Sequence, residues 1–346
     1  MGKDVHYHDY LQLDKILQAQ FPESSWQGIP AHDEMLFIII HQTYELWFRQ
    51  LLYETDSVAA IMQKPVNDNS PELQTVVHRL ERMISILQVL VHQVDIMETM
   101  TPMDFLDFRD LLRPASGFQS WQFKALEAKL GLKFEQRHGQ EYYISQLRPE
   151  HVALIKQAEQ ERSLLELVNG WLERMPFFDQ PEYWGGFEHT EGAGTQHPFW
   201  TAYRHRYAES LADAEKNNLA VFDELFIYEK ATPRQVISPR ACRAALFIML
   251  YRGYPILHLP FQLLNALLEI DIQLSSWRYR HMNMVQRMIG TRIGTGGSSG
   301  KGYLKEAADK HYIFKDFARL NSFLIERKKL PALPAALEAK LGFVSR

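Results

Sequence analysis

Apolar residues recur at helical spacing along most of the chain. Between Pro30 and Pro65 there is neither glycine nor proline, and Leu36, Ile40, Tyr44, Trp47 and Leu51 follow in steps of four, four, three and four. A helix makes one turn in about 3.6 residues, so these steps keep one face apolar. From Glu72 to Thr101 the pattern repeats with Val76, Leu80, Met83, Leu87 and Leu90. Further helices are predicted over Met103–Leu112, Ser120–Leu130, Glu150–Met175 and Ala202–Ala231, with Gly131 placed to end the second of these. Ser238 and Pro239 suit the cap and first turn of another, because proline's fixed φ fits a helix start where its missing N–H is not needed. The longest late segment, Phe261 to Ile289, runs 29 residues without glycine or proline. No alternating segment of useful strand length interrupts these patterns. The expected fold is all-α, a single large helical-bundle domain.

Two stretches depart from the pattern. Pro176 to Phe199 holds three prolines, four glycines and six aromatic residues, and reads as a long loop or small excursion within 175–235. Gly290 to Gly302 carries six of the chain's 18 glycines. That segment fails the phosphate-loop pattern, because Thr295 stands where the first glycine would be needed five places before Gly300-Lys301. It fails the dinucleotide fingerprint at Ser299, and it follows a helix where that motif needs a strand. What remains is a loop rich in backbone N–H and hydroxyl groups. It suits holding a carboxylate, and it equally suits a flexible surface connection.

Composition narrows the function classes. With 46% hydrophobic and 23% charged residues, the 346-residue chain has the balance of a soluble globular protein. Its formal charge of −4 and lack of a basic tract give no electrostatic footprint for nucleic acid. Apolar runs such as Met35 to Ile40 and Ala244 to Tyr251 are far shorter than the roughly 20 residues of a membrane helix. The single cysteine, Cys242, excludes an intrachain disulfide, a multi-cysteine metal site and covalent haem attachment. The N-terminus is too polar for a signal peptide, so a cytoplasmic protein without nucleic-acid or membrane partners is expected.

Three polar residues stand on helical faces that are otherwise apolar. His281 has Trp277 four places before it and Met284 and Val285 following on the same face. An imidazole there suits a haem ligand, and equally a hydrogen-bonded core histidine. His41 is similar, between Phe37 and the pair Tyr44 and Glu45. Arg109 follows Phe105 by four residues just before a turn signal, where it could fork onto a carboxylate or form an ordinary ion pair. No zinc-protease motif, nucleophile elbow or paired-carboxylate arrangement accompanies them.

Five blocks in order carry a resemblance: YHDYLQLDKIL (Tyr7–Leu17), HDEMLFIIIHQTYELWFRQ (His32–Gln50), ETMTPMDFLDFRDLLRPASGFQS (Glu98–Ser120), ELVNGWLERMP (Glu166–Pro176) and WRYRHMNMVQRMIGTRIGTGGSSG (Trp277–Gly300). Together they resemble the tryptophan 2,3-dioxygenase family. The resemblance implies a helical homotetramer with one haem b per chain, ferrous when active. It implies opening of the pyrrole ring of L-tryptophan with O2 to give N-formyl-L-kynurenine. It makes His281 the proximal iron ligand and His41 the distal histidine that accepts from the indole N–H. Phe37, Ile38, Ile39 and Ile40, together with Leu112, fall in its substrate-binding positions. Arg109 matches the residue for the substrate carboxylate, and Thr295 the one for its ammonium and carboxylate. Ser116 matches a small hydroxyl near the distal face. Phe105 stands where several bacterial members carry Tyr and animal members carry Phe. Residues 1–30 become an arm whose Tyr7, Tyr10 and Leu11 reach a neighbouring subunit's pocket, and residues 31–346 the catalytic domain with a glycine-rich ligand loop. The alternatives are a superfamily relative acting on a modified tryptophan or indole, and a non-enzymatic haem carrier or sensor. A carrier has no need of a zwitterion clamp of the kind Arg109 and Thr295 imply.

Overall fold

The computed structural model describes residues 4–137, 140–187, 197–231, 235–295, 305–306 and 311–342. Short helices α1 (Tyr7–Leu11), α2 (Leu13–Leu17) and α3 (Glu23–Trp26) lead into the long α4 (Glu34–Met62) and α5 (Pro71–Met97). Then follow α6 (Pro102–Arg109), α7 (Trp121–Leu130), α8 (Gln140–Ser145), α9 (Pro149–Gln160), α10 (Leu164–Leu172), α11 (Pro198–Ser210), α12 (Asn217–Phe222) and α13 (Pro239–Leu250). The 35-residue α14 (Pro255–Ile289) precedes α15 (Lys315–Leu320) and α16 (Ala335–Leu341). No strand occurs among the described residues. None of the described helices is long and apolar enough to cross a membrane.

Several boundaries differ from the periodicity, each for a local reason. The Glu150–Met175 segment is two helices. Ser163 Oγ accepts from the Glu166 backbone N–H at 3.3 Å while Glu166 accepts from the Ser163 N–H at 2.7 Å, a reciprocal cap that starts α10 afresh. The Ala202–Ala231 segment also breaks: Ser210 Oγ donates to the Tyr207 carbonyl at 2.6 Å, and α11 ends there. The last long helix starts at Pro255, six residues before Phe261, and carries Pro260 inside it. That proline removes one backbone donor, which the surrounding helix tolerates near its start.

The described part of the predicted excursion is built into the core. Phe177, Trp184, Phe187, Phe199, Trp200 and Tyr203 are all buried in the main apolar cluster, and Trp184 Nε1 donates to the Phe177 carbonyl at 2.7 Å. Six aromatics outweigh the irregular backbone, because each removes a large apolar area from water.

Helices α4, α5, α7 and α14 form the frame of the site. Tyr44 Oη donates to the Leu90 carbonyl at 2.9 Å and buried Gln93 donates to the Ile40 carbonyl at 3.1 Å, joining α4 to α5. Arg280 pairs with Asp95 and Glu98, joining α14 to α5. A second apolar cluster of Ile40, Met97, Met100, Phe108 and Met288 closes the frame at the α6 end.

Candidate functional site

One wall of an internal slot is the α4 face carrying Phe37, His41, Tyr44 and Phe48. His41 Nδ1 lies 2.7 Å from the Phe37 carbonyl oxygen. A carbonyl only accepts, so Nδ1 carries the proton and the neutral ring keeps a lone pair on Nε2. Burial lowers the His41 pKa below its ordinary value, against smaller raising effects of that hydrogen bond and of Glu45. The Phe37 ring packs on the imidazole, with centroids 4.1 Å apart.

The opposing wall is the α14 face of Trp277, His281, Met284, Val285 and Met288. Trp277 lies almost parallel to the His281 ring, with 5.4 Å between centroids and 5° between planes. Phe123 and Tyr44 brace the other sides of the indole at 4.8 and 6.1 Å. The His281 pKa is pushed down to about 4, chiefly by burial and further by His41. The ring is therefore neutral at pH 7, as a metal ligand must be. Among the described residues nothing hydrogen-bonds either of its nitrogens, and no group of three His, Cys, Asp or Glu could chelate a bare metal ion. This donor set fits iron brought in by a macrocycle that supplies the remaining ligands, between apolar and aromatic walls.

Helix α6 supplies the third side. The capping box of Thr101 and Asp104, with Pro102 in the first turn, fixes its start, and Phe105 and Arg109 then share its inner face. Phe105 stacks on Phe37 at 5.7 Å. Arg109, only 4% exposed, donates to the Ile293 carbonyl and meets no carboxylate among the described residues. Ile293 is followed by Gly294 and Thr295, which line the slot. Gly290 ends α14 with a φ of 58°, a conformation glycine adopts without strain, and turns the chain back toward Arg109. Residues 296–302 of the glycine loop lie outside the described residues. Ser116 also lines the slot, its hydroxyl capping the turn at Phe118 N.

Not every sequence candidate reaches the cavity. Ile40 and Leu112 belong to the apolar cluster beside it and do not line it. Ile38 and Ile39 are turned away by the helical twist, Ile39 being 45% exposed. Tyr7, Tyr10 and Leu11 are exposed and do not line this chain's own slot.

The periodicity did not single out a charged group at the α7 side of the slot. Glu127 accepts from Arg278 Nη2 at 2.6 Å and from Arg137 Nη1 at 2.5 Å, with all three side chains buried. Burial alone would raise the Glu127 pKa, but the two guanidinium groups bring it down to about 2. The available signal was Arg278 wedged between Trp277 and His281 on an apolar face.

The fold and the slot define an all-α protein organised around one internal binding site, with two neutral imidazoles facing it and a buried arginine at its edge. The chain belongs to the tryptophan 2,3-dioxygenase family, whose profile matches residues 1–324. A tryptophan 2,3-dioxygenase from Bdellovibrio bacteriovorus is 44% identical over 98% of each chain. One from Dictyostelium discoideum is 41% identical, covering 99% of this chain and 89% of that one. The Rattus norvegicus enzyme is 40% identical, covering 94% and 84%.

Proposed function

We propose that the protein is a haem-dependent dioxygenase that opens the pyrrole ring of L-tryptophan with O2, both oxygen atoms ending in N-formyl-L-kynurenine. The observation that carries this reading is the pair of neutral imidazoles on opposing helices, beside a buried arginine without a carboxylate partner among the described residues. His281 would hold the iron, and Trp277, Met284 and Val285 would pack on the porphyrin. When bound, haem supplies ferrous iron for oxygen activation, a chemistry no side chain of the chain provides.

The chain's own residues then bind and orient the substrate. His41 Nε2, left as an acceptor by the Nδ1 contact to the Phe37 carbonyl, takes the indole N–H. This holds the ring in one plane and favours electron density at C2 and C3, where the bond is cleaved. Phe37 and Phe105 exclude water from the indole. Arg109 forks onto the carboxylate, and Thr295 offers its hydroxyl to the zwitterion. Ser116, which lines the slot, would offer its small hydroxyl beside the substrate. Tyr7, Tyr10 and Leu11 complete the pocket from a neighbouring subunit of a homotetramer, a reading supported by their exposure on their own chain.

The test mixes the haem-loaded ferrous protein with L-tryptophan and air and follows N-formylkynurenine absorbance. Product that grows with enzyme concentration is expected. Consumption of neither indole nor O2 would overturn the assignment.

A further inference from the structure

The charges lining the slot do not balance. Four basic side chains, Arg109, Lys124, Arg137 and Arg278, face two carboxylates, Glu45 and Glu127. Glu45 is tied to Gln122 Nε2 at 2.8 Å, and Glu127 is shared by Arg137 and Arg278. Arg109 is accounted for by the substrate carboxylate. Lys124 is not: it is 7% exposed and has no carboxylate in ion-pair contact among the described residues. Its nearest interaction is with the face of Tyr143, 4.8 Å from ammonium to ring centroid. Asp271 and Glu159 act on Arg278 and Arg137 from outside the lining and do not reach Lys124.

A buried ammonium that must share its nearby carboxylate, Glu127, with two guanidinium groups is costly, and the cost shows as a Lys124 pKa lowered to about 8, burial and Arg137 outweighing the raising effect of Glu127. Position makes the imbalance specific. Lys124 follows Phe123, which packs on Trp277, and Arg278 lies three residues before His281, so the cationic end adjoins the place where the porphyrin would sit. The group expected there has an apolar ring body and carboxylate tails.

We propose that Lys124, backed by the Glu127-held guanidinium groups of Arg137 and Arg278, is the anchor for a carboxylate of the porphyrin. The inference rests on the haem reading above and adds to it a subsite on α7 that fixes which edge of the macrocycle enters first. Arg137 and Arg278 are already engaged by Glu127 and act as positioning residues, while Lys124 makes the contact.

The test compares the affinity of the haem-free chain for haem and for haem dimethyl ester, which keeps the ring and iron but loses both negative charges. Soret titration and the rate of haem transfer to excess apomyoglobin are the readouts, so turnover is not involved. Wild type should hold haem about tenfold more tightly than the ester, as expected for one charge-assisted contact. Lys124→Met should lose most of that preference and Lys124→Arg should keep it, with helix content by circular dichroism checking that each is folded. Equal affinity for the two porphyrins in wild type, or an undiminished preference in Lys124→Met, overturns the anchor. Binding of neither porphyrin to wild type would instead overturn the haem reading itself.

Discussion

At the scale of single residues, environment converts ordinary side chains into specific tools. His41 and His281 are both neutral because both are buried, yet their roles diverge through one hydrogen bond. His41 has its proton fixed on Nδ1 by the Phe37 carbonyl and can only accept through Nε2. His281 has no such partner among the described residues, and its orientation comes from the parallel Trp277 ring. Arg109 is the counterpart for charge: a buried guanidinium held by one backbone carbonyl retains donors for a second acceptor. Arg109→Ala should raise the KM for L-tryptophan about 10-fold or more, since a hydrogen bond to a charged group contributes roughly 1.5–3 kcal/mol. Tryptamine, which lacks the carboxylate, should be a poor substrate of the wild type and lose little more in the variant. Steady-state kinetics on both compounds decide this, and equal losses on the two would remove Arg109 from the carboxylate role.

At the scale of elements, periodicity located the long helices, while caps and breaks needed the structure. Helices α4 and α5 sit where the apolar steps place them, because burial of one stripe is what stabilises them. Ser238 accepts from the Ala241 N–H at 3.1 Å with Pro239 in the first turn, a start readable from composition. The split at Ser163 was also legible, as a serine three residues before Glu166, but the surrounding apolar run masked it. The cationic cluster at α7 has no linear signature, because Arg137 and Arg278 meet Glu127 only after folding. Nor does the cap of α11 have one. His197 Nδ1 accepts from the Phe199 N–H at 3.3 Å, which requires that nitrogen to be unprotonated. Burial, aided by Arg243 and opposed by Asp179, pushes the His197 pKa down to about 4. Its unfolded value is near 6.5, so between those values the unfolded chain binds a proton that the folded chain does not. Stability should therefore be intact above pH 6.5 and fall on acidification, by up to about 1.4 kcal/mol per unit from this residue. His197→Asn keeps a cap acceptor that does not titrate. Urea unfolding at pH 7 and pH 5 should show a smaller loss in the variant than in wild type, and identical losses would assign the sensitivity elsewhere.

At the scale of the whole molecule, the distribution of exposed apolar residues points outward from a chain that is otherwise well packed. Leu46 and Tyr53 on α4, Val89 and Ile96 on α5, and Ile272 and Tyr279 on α14 are all exposed, on the same three helices whose inner faces build the slot. Such surface on neighbouring elements suits contacts between copies of the chain. The N-terminal segment adds to it. The later part of the 1–30 arm is secured to its own subunit: Glu34 accepts from the Glu23 and Ser24 N–H groups at 2.8 and 2.9 Å, and Gln42 donates to the Ala19 carbonyl at 2.9 Å. Before that anchor, α1 and α2 bury nothing, with Tyr7 75% and Tyr10 74% exposed. Leaving two tyrosines and several aliphatic side chains in water forgoes about 25 cal/mol for each Å² of apolar surface that a docked arm would cover. Deleting residues 1–17 should therefore weaken both assembly and tryptophan turnover while leaving haem binding at His281 intact. Mixed oligomers separate the two possible docking sites. An arm-deleted subunit and a His281→Ala subunit should each be nearly inactive alone. If the arm acts on its neighbour, co-assembly restores turnover, because the intact arm of the His281→Ala chain completes the haem-bearing slot beside it. Proven co-assembly without recovered N-formylkynurenine would place the arm over its own subunit's slot.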